Sequence, residues 1–325
     1  MASGGFPHTV ARPCRIHTGF PRKRKGCDCA KVGALLLAYS LGVWWRIGCA
    51  AACLAAIAAC ASHSVQRGAE VPPAAGRVVT LVPSFADDVY AIGAGAQLVA
   101  VSAFTDAPAA KALPRVADAS SVDAEAILAL RPSLVIGIPA QARLVEPLCR
   151  ARVAVVLLAD DSFDSIFANL QRIGELTGHR REAAATIARL RSETARIAAS
   201  TRRFVRRPSV FVVLGSGPIW TAGSRSYITT LVTLAGGRNA AGDLDAAYGE
   251  YSAEALLRDQ PDAIVADPAA RLSDALGREP WRSLRAVHLG HVYSVDPDLI
   301  ERPGPNYNAG LRWLAARLAP LATAR

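Results

Sequence analysis

The feature that most constrains this chain is an internal repeat. The segment AEAIL at 124–128 recurs as AEALL at 253–257, each time followed by a proline and an apolar run, at a constant offset of 129 residues. Upstream, the apolar run 78–82 is echoed by the run 210–214. Self-similarity at a fixed period indicates that one structural unit is built twice. The sequence therefore predicts two similar lobes.

Within each copy, strand and helix patterns alternate. The β-rich run 78–82 ends at a loop containing Pro83, a helix is expected from about Ala86, and a further helix and apolar strand follow between 124 and 138. Strands that alternate with helices are typical of a mostly parallel α/β sheet. We therefore predict an α/β fold with two Rossmann-like lobes.

Between the two copies, residues 161–200 carry apolar side chains at helical spacing, interrupted at Thr177 and Gly178. Twenty or more helical residues would extend roughly 30 Å, which is long enough to join two lobes. The predicted organisation is an N-terminal segment 1–60, a linker 61–76, a first lobe 77–160, a connecting helix 161–200 and a second lobe 201–325.

The formal net charge of +10 at pH 7 is concentrated in the first sixty residues. That segment contains eight Lys or Arg and one acidic residue, which leaves 29 basic and 26 acidic residues in the rest of the chain. The body is therefore nearly neutral, and it has no basic stripe interleaved with aromatics, so no nucleic-acid partner is expected. Only Cys149 follows residue 61, so no disulfide is expected within the body.

The N-terminal segment has the pattern of an export signal. Two apolar runs, 32–45 and 47–59, are separated by Arg46, and each is too short to span roughly 30 Å of hydrocarbon as a helix. The end of the second run, LAAIAAC at 54–60, resembles the lipobox of bacterial lipoproteins. This resemblance implies that the thiol of Cys60 is acylated and anchors the mature protein to a membrane.

Three interpretations of this segment remain open. In the first, translation starts near Val43, the preceding residues are an over-extension, and Cys60 is the lipidated N-terminus. In the second, residues 33–59 form one transmembrane anchor, which would place the charge of Arg46 at its middle. In the third, cleavage after Ala61 releases the body without a lipid. Each of the three places the body outside the cytoplasm.

Four segments of the body, taken in order, resemble the helical-backbone class of periplasmic solute-binding proteins, also called class III, which deliver cobalamin, ferric siderophores or haem to ABC importers. The segments are RVVTLVPS at 77–84, AILALRPSLVIG at 126–137, PIWTAGSRSYITTLVTLAGGRNAAG at 218–242 and ERPGPNYNAG at 301–310. The resemblance covers about residues 77–318. It implies two α/β lobes joined by one long helix, with ligand held between them.

The resemblance also gives a role to two glutamates of the repeat. In this family a glutamate at the position of Glu125 and of Glu254 pairs with arginines on the two subunits of an ABC permease, which is driven by its ATPase. Equivalent acids on two lobes are what a two-fold symmetric partner requires. The alternative is local: Asp123 and Ser252 are plausible N-caps, so each glutamate could serve only its helix dipole.

Ligand is expected where strand ends and the following loops of the two lobes face each other. The candidate contacts are Ser84, Phe85, Phe104, Ser216, Trp220, Tyr248, Tyr251, Asp298 and Arg302. The resemblance to the cobalamin-binding branch implies that five of these contact the corrinoid, namely Phe104, Trp220, Tyr248, Asp298 and Arg302.

The nature of these residues bears on which ligand is bound. Aromatic faces suit a flat macrocycle or a catechol. Few Lys or Arg are available among the candidate loops, which argues against a strongly anionic ferric catecholate. Haem remains a candidate ligand because Tyr248 or Tyr251 could ligate its iron. Residues 118–121 lack the tryptophan that the cobalamin-binding branch often carries, so iron chelates also stay open.

No enzyme signature is complete in this sequence. The triplet Gly215-Ser216-Gly217 has neither the glycine before it that a nucleophile elbow requires nor the third glycine after it that a dinucleotide fingerprint requires. His288 and His291 precede a predicted strand in a turn, and no metal site or cofactor is expected there. We predict a monomeric, exported receptor that captures cobalamin or an iron chelate for an ABC permease. The alternative is a scavenger or sensor module of the same fold that takes no part in transport.

Overall fold

A computed structural model describes residues 64–69, 74–118 and 120–323. The predicted export signal, including Cys60, lies outside the described residues. Residues Ser62–Arg325 form one compact unit that holds all the hydrophobic clusters found in the described part of the chain. Within the described ranges, no helix combines the length and the apolar character that crossing a bilayer requires.

Twelve strands in the described residues form two six-stranded sheets. They are β1 (Ser64–Arg67), β2 (Val78–Thr80), β3 (Leu98–Ser102), β4 (Arg115–Ala117), β5 (Leu134–Gly137), β6 (Val155–Leu158), β7 (Ser209–Ser216), β8 (Ile219–Ala222), β9 (Arg238–Asn239), β10 (Tyr248–Glu250), β11 (Ala263–Ala266) and β12 (Val292–Ser294). The first sheet has the order β1-β6-β5-β2-β3-β4, and the second has the order β10-β8-β7-β11-β12 with β9 beside β7.

The repeat is preserved in the pairing of the central strands. Leu134 of β5 pairs in parallel with Val78 of β2, and Ala263 of β11 pairs in parallel with Val210 of β7. Leu134 and Ala263 are the equivalent residues of the two sequence copies. The predicted pair of α/β lobes is therefore confirmed, and the two lobes share the register of their central strands.

Two edges of the sheets differ from the prediction. Strand β1 lies within the segment assigned to the linker, and it pairs antiparallel with β6 at the edge of the first sheet. In the second sheet, β7 turns directly into β8, which runs antiparallel to it and pairs in turn with β10. This antiparallel ribbon has no counterpart in the first sheet.

Ten α-helices are present among the described residues. They are α1 (Pro83–Ala91), α2 (Ala124–Ala129), α3 (Glu146–Arg150), α4 (Phe163–Thr177), α5 (Arg180–Thr201), α6 (Tyr227–Leu234), α7 (Ala253–Asp259), α8 (Arg285–His288), α9 (Pro297–Ile300) and α10 (Tyr307–Thr323). Helix α1 begins at Pro83 and not near Ala86, because proline at the first helical position loses no hydrogen bond and already has a helical φ.

The predicted connecting helix consists of two helices. Helix α4 ends at Gly178, which has a φ of 80° and caps the helix in the left-handed conformation that glycine adopts without strain. Helix α5 then runs for 22 residues, or about 33 Å, and packs against α4, α6 and α10. The long backbone helix is thus α5.

The largest hydrophobic cluster crosses from one lobe to the other. It draws on Val78 and Leu134 of the first sheet, on Val210 and Val265 of the second, and on Leu190 of α5. Packed cores resist deformation, because opening them loses close contacts along the whole surface. The two lobes are therefore joined by a continuous core as well as by a helix.

Candidate ligand-binding cleft

A cleft of about 460 Å³ lies where the strand ends of the two sheets face each other. It is lined by Val82, Pro83, Ser84, Phe104, Asp106, Asp160, Pro297, Asp298, Glu301, Arg302 and Pro303. The first six follow the carboxyl ends of β2, β3 and β6, and the last five follow β12. Crevices at the carboxyl ends of parallel strands are where α/β folds bind ligands.

The loop that carries Phe104 is fixed by hydrogen bonds beneath it. The hydroxyls of Ser102 and Thr105 lie 3.0 Å apart, and Arg115 donates to the backbone oxygens of both residues at 3.2 and 2.8 Å. The loop is therefore held in place while the ring of Phe104 stays 61% exposed. An exposed ring on a rigid loop is ready to contact a ligand without ordering the backbone.

Three aromatic side chains that the sequence predicts as ligand contacts are exposed. Phe104, Trp220 (42%) and Tyr248 (36%) are three of the five large hydrophobic residues that the described chain leaves in water. Tyr248 of β10 pairs opposite Ala222 of β8, so its side chain lies on the same face of the ribbon as Trp220. Exposed apolar patches of this kind commonly mark binding surfaces.

Tyr248 is not one of the residues that line the cleft, but it lies close to two of them. Burial raises the pKa of its phenol, and the nearby charges of Asp160 and Glu301 raise it further. Both carboxylates line the cleft. The electrostatic environment therefore keeps the phenol protonated.

Arg302 joins the two lobes across the cleft. Its guanidinium lies 2.6 Å from Asp298 in its own lobe, and 3.5 and 3.4 Å from Asp87 and Asp106 in the first lobe. It also donates to the backbone oxygen of Phe104 at 3.1 Å. Only 17% of its side chain is exposed. Arg302 is thus engaged in ion pairs between the lobes and does not present a free cation to the cleft.

The remaining charges of the cleft are carboxylates. Burial raises the pKa of Asp160 to about 6, with a further contribution from Asp161, and burial raises the pKa of Glu301 to about 7, with a further contribution from Asp267. Burial likewise raises the pKa of Asp87 to about 6, although Arg302 opposes the shift. The Glu301 Oε1 atom is buried and has no hydrogen-bond partner among the described residues.

The raised pKa values predict that the protein becomes more stable as the pH falls from 8 to 5. A carboxyl whose pKa is higher in the folded chain takes up its proton preferentially there, so protonation favours folding between the unfolded and folded pKa values. For Glu301 that window runs from 4.5 to about 7. We expect the thermal midpoint to rise across this window.

The matching variant is Glu301→Gln, which is neutral at every pH. It should reduce the dependence of the midpoint on pH, whereas Glu182→Gln at an exposed position should leave it unchanged. Thermal unfolding followed by circular dichroism at several pH values measures both. An unaltered pH profile in Glu301→Gln would show that Glu301 does not titrate in this range.

Two predicted contacts are wrong for a physical reason. Phe85 is fully buried in the core because it lies in the first turn of α1 on the side that packs against the sheet. Tyr251 is 9% exposed, and its hydroxyl lies within hydrogen-bonding distance of the carboxylates of Asp243 and Asp259, at 2.9 and 2.7 Å. Neither ring can reach a ligand in the cleft, and the phenol of Tyr251 is not available to haem iron.

The other candidates are distributed as follows. Ser84, Phe104, Asp298 and Arg302 line the cleft. Ser216 lines a separate pocket of about 480 Å³ within the second lobe, where its hydroxyl donates to the oxygen of Ala270 at 2.6 Å. The structure therefore brings four of the nine predicted residues together in one cavity.

Glu125 and Glu254 are both exposed in the first turns of α2 and α7. The predicted caps are confirmed: Asp123 accepts from the amide of Ala126 at 2.9 Å, and Ser252 accepts from the amides of Glu254 and Ala255 at 3.2 and 3.4 Å. The helix ends are thus already capped by other side chains. Each glutamate keeps its carboxylate in solvent.

Of the acidic residues that line the cleft, Asp298 was predicted from the sequence, whereas Asp106, Asp160 and Glu301 were not. Asp160 directly follows the apolar run that becomes β6, which is a position that sequence reasoning could have noticed. Asp87 and Glu301 give no such signal, since one lies in a helix and the other follows one.

Across the described part of the chain, no group of three or more His, Cys, Asp or Glu is arranged to hold a metal ion.

Comparison with known proteins agrees with this architecture. The family model described as periplasmic binding protein matches residues 78–299. The chain is 28% identical over 253 residues to an uncharacterized ABC transporter substrate-binding lipoprotein of Bacillus subtilis, covering 75% of this chain and 80% of the relative. It is 30% identical over 258 residues to the vitamin B12-binding protein of Pectobacterium carotovorum, covering 75% and 89%.

Among solved structures, a periplasmic haem-binding protein from Pseudomonas aeruginosa superposes with a TM-score of 0.68 at 28% identity. The superposition covers 77% of this chain and 94% of that one. The similarity therefore extends over both lobes.

Proposed function

This chain belongs to the periplasmic binding protein family, and we propose that it is the substrate-binding component of an ABC importer, capturing cobalamin or an iron chelate in the cleft between its lobes. The relatives include an ABC transporter substrate-binding lipoprotein, a vitamin B12-binding protein and a haem-binding protein.

The observation that favours cobalamin is an acidic cleft beside exposed aromatic rings. Asp106, Asp160, Asp298 and Glu301 line the cleft with one arginine, which is already paired. Haem carries two propionates and ferric catecholates are strongly anionic, so both would meet carboxylates of like charge. A corrin ring is rimmed by neutral amides, whose N–H groups can donate to those carboxylates.

Haem is disfavoured for a second reason. A tyrosine that ligates haem iron does so as a phenolate, whereas burial and the charges of Asp160 and Glu301 raise the pKa of Tyr248. Tyr251 is buried and hydrogen-bonded to two aspartates. Neither tyrosine is suited to serve as the axial ligand.

Delivery to the permease is proposed to use Glu125 and Glu254. Two exposed carboxylates at equivalent positions of two similar lobes match a partner with two similar subunits. Exposed charges of this kind steer association and set the register of docking. We further propose that Cys60 is lipidated, in keeping with the lipoprotein relative, and that the exported protein acts as a monomer.

The test is calorimetric titration of residues 62–325, the compact unit, with cyanocobalamin, haemin and ferric siderophores. We expect saturable binding of cyanocobalamin, with haemin and ferric catecholates binding at least about tenfold more weakly because of like-charge repulsion. Tight haemin binding with a shifted Soret band would contradict the ligand preference. An absence of binding to all three would contradict the proposed substrates.

A further inference from the structure

One side of helix α5 and the turn after it is strongly basic. Seven exposed arginines lie there and are named together as the arginine face: Arg180, Arg181, Arg189, Arg191, Arg196, Arg202 and Arg203. Arg189 approaches Glu193 at 4.0 Å, and the other six form no ion pair with any residue that the structure describes. Glu193 is shared with Arg312, which leaves Glu182 as the exposed acid of this helix.

The arginine face is long and covers the solvent side of α5. Ala183, Thr186, Leu190 and Thr201 form the buried side of α5, so the arginines project away from the protein core. Between them the surface is made of small residues, namely Ala184, Ala188, Ser192 and Ala195. Over the 22 residues of α5 this surface extends about 33 Å. Such a surface can lie against an extended planar partner.

A groove runs along the edge of the arginine face, between α4 and α5. It has a volume of about 500 Å³ and is lined by Gln171, Glu175, Arg180, Ala184, Ile187, Ala188 and Arg191. Its acid, Glu175, is already bonded to Arg172 at 3.0 Å. The guanidinium of Arg191 is held over the ring of Phe167, with its central carbon 4.7 Å from the ring centre. The groove thus combines two cations without acidic partners and an apolar floor.

This combination fits the chemistry of a phospholipid. The phosphate of a headgroup is recognised by guanidinium groups, and an apolar floor accommodates the glycerol and the first methylenes of an acyl chain. Across a bilayer surface, the attraction of anionic lipids adds up over several arginines and weakens as salt screens it. A cationic surface that extends along the whole helix is better matched to a bilayer than to a compact acidic protein.

The position of the chain's N-terminal side is consistent with a nearby membrane. The amide of Ala75 donates to the oxygen of Leu176 at 2.9 Å, and a Cβ added at Gly178 would lie 3.3 Å from the Cβ of Ala74. The chain from Cys60 first meets the body at β1, on the edge of the first sheet, and then passes beside the turn where α5 begins. Ala74 follows Cys60 by fourteen positions, so this point lies within about 50 Å of any lipid attached there.

We propose that the arginine face and its groove form a peripheral membrane-contact surface that binds anionic phospholipid bilayers. This surface shares no residue with the ligand cleft or with the two glutamates that we propose for docking. It would hold the receptor against the membrane in a defined orientation while it is not docked. The proposal does not depend on which ligand the cleft takes.

The test is co-sedimentation of residues 62–325 with vesicles of phosphatidylglycerol and phosphatidylcholine in equal amounts, and with vesicles of phosphatidylcholine alone. We expect salt-sensitive binding to the anionic vesicles only. The variant Arg181→Glu, Arg196→Glu, Arg203→Glu should bind them at least about tenfold more weakly, since three attractive charges become repulsive. The groove variant Arg180→Glu, Arg191→Glu should also weaken binding.

The control variant is Lys111→Glu, Arg131→Glu, Arg143→Glu, which makes the same change in net charge at exposed positions of the first lobe, outside α5. It should retain binding to the anionic vesicles, and all variants should keep the thermal unfolding midpoint of the unmodified protein. Equal losses in the control and the α5 variant would overturn the proposal in favour of net charge alone. Absence of binding to anionic vesicles, or a preference for polyglutamate over them, would overturn it as well.

Discussion

Replacing Trp220 and Tyr248 together with alanine is expected to lower the affinity for cyanocobalamin by about 100-fold. Each ring should contribute roughly 0.5 to 1.5 kcal/mol of stacking in addition to the apolar area that it buries against the corrin. A combined loss near 3 kcal/mol corresponds to about two factors of ten in the dissociation constant. Calorimetric titration of the variant measures this loss directly.

Both rings are exposed, so their removal should leave the fold intact, and thermal unfolding checks this. The matched control is Val205→Ala with Leu289→Ala, which removes exposed apolar groups of 86% and 59% exposure that precede the amino ends of β7 and β12. These residues lie at the opposite edge of the sheet from the cleft. If the control lost affinity equally, or the aromatic variant kept it, the ribbon would not contact ligand.

Reversing the charge of both repeat glutamates, in Glu125→Arg with Glu254→Arg, is expected to abolish ligand uptake while leaving ligand affinity unchanged. Two misplaced charges at a docking interface would each meet a like charge on the permease, and such contacts strongly suppress association. Uptake of labelled cobalamin by cells that carry the permease measures the first quantity, and calorimetry measures the second.

The control for this experiment is Asp164→Arg with Glu182→Arg. These acids also lie in first helical turns, those of α4 and α5, so the control reproduces the loss of a favourable interaction with the helix dipole. It should retain uptake. Undiminished uptake in the Glu125 and Glu254 variant would exclude docking through these residues. It would also favour the alternative of a binding module that takes no part in transport.

The duplicated architecture could be predicted because the repeat consists of short, similar sequence segments that recur at a constant offset. The offset between the two copies reappears as the equivalent pairing of Leu134 and Ala263 with their central strands. The same patterns could not show that Phe85 faces the core, because inward and outward positions of a first helical turn depend on how the helix packs. Strand β1 was missed since a short edge strand depends on its neighbour for its hydrogen bonds.

The cleft could be predicted only in part. Ligands bind at the carboxyl ends of strands, and this rule identified Ser84, Phe104, Asp298 and Arg302. Each of them follows a recognisable strand or lies in a segment that resembles the family. The acidic character of the cleft escaped detection because its carboxylates come from separate parts of the chain. Arg302 and Asp87 are 215 residues apart in sequence, and their pairing exists only once both lobes are folded.

The core that runs unbroken from one sheet to the other limits what the importer can sense. A receptor whose halves cannot swing widely has almost the same outline with and without cargo. The transporter would therefore have to tell full receptors from empty ones by fine differences at the mouth of the cleft, where Arg302 ties one lobe to Asp87 of the other.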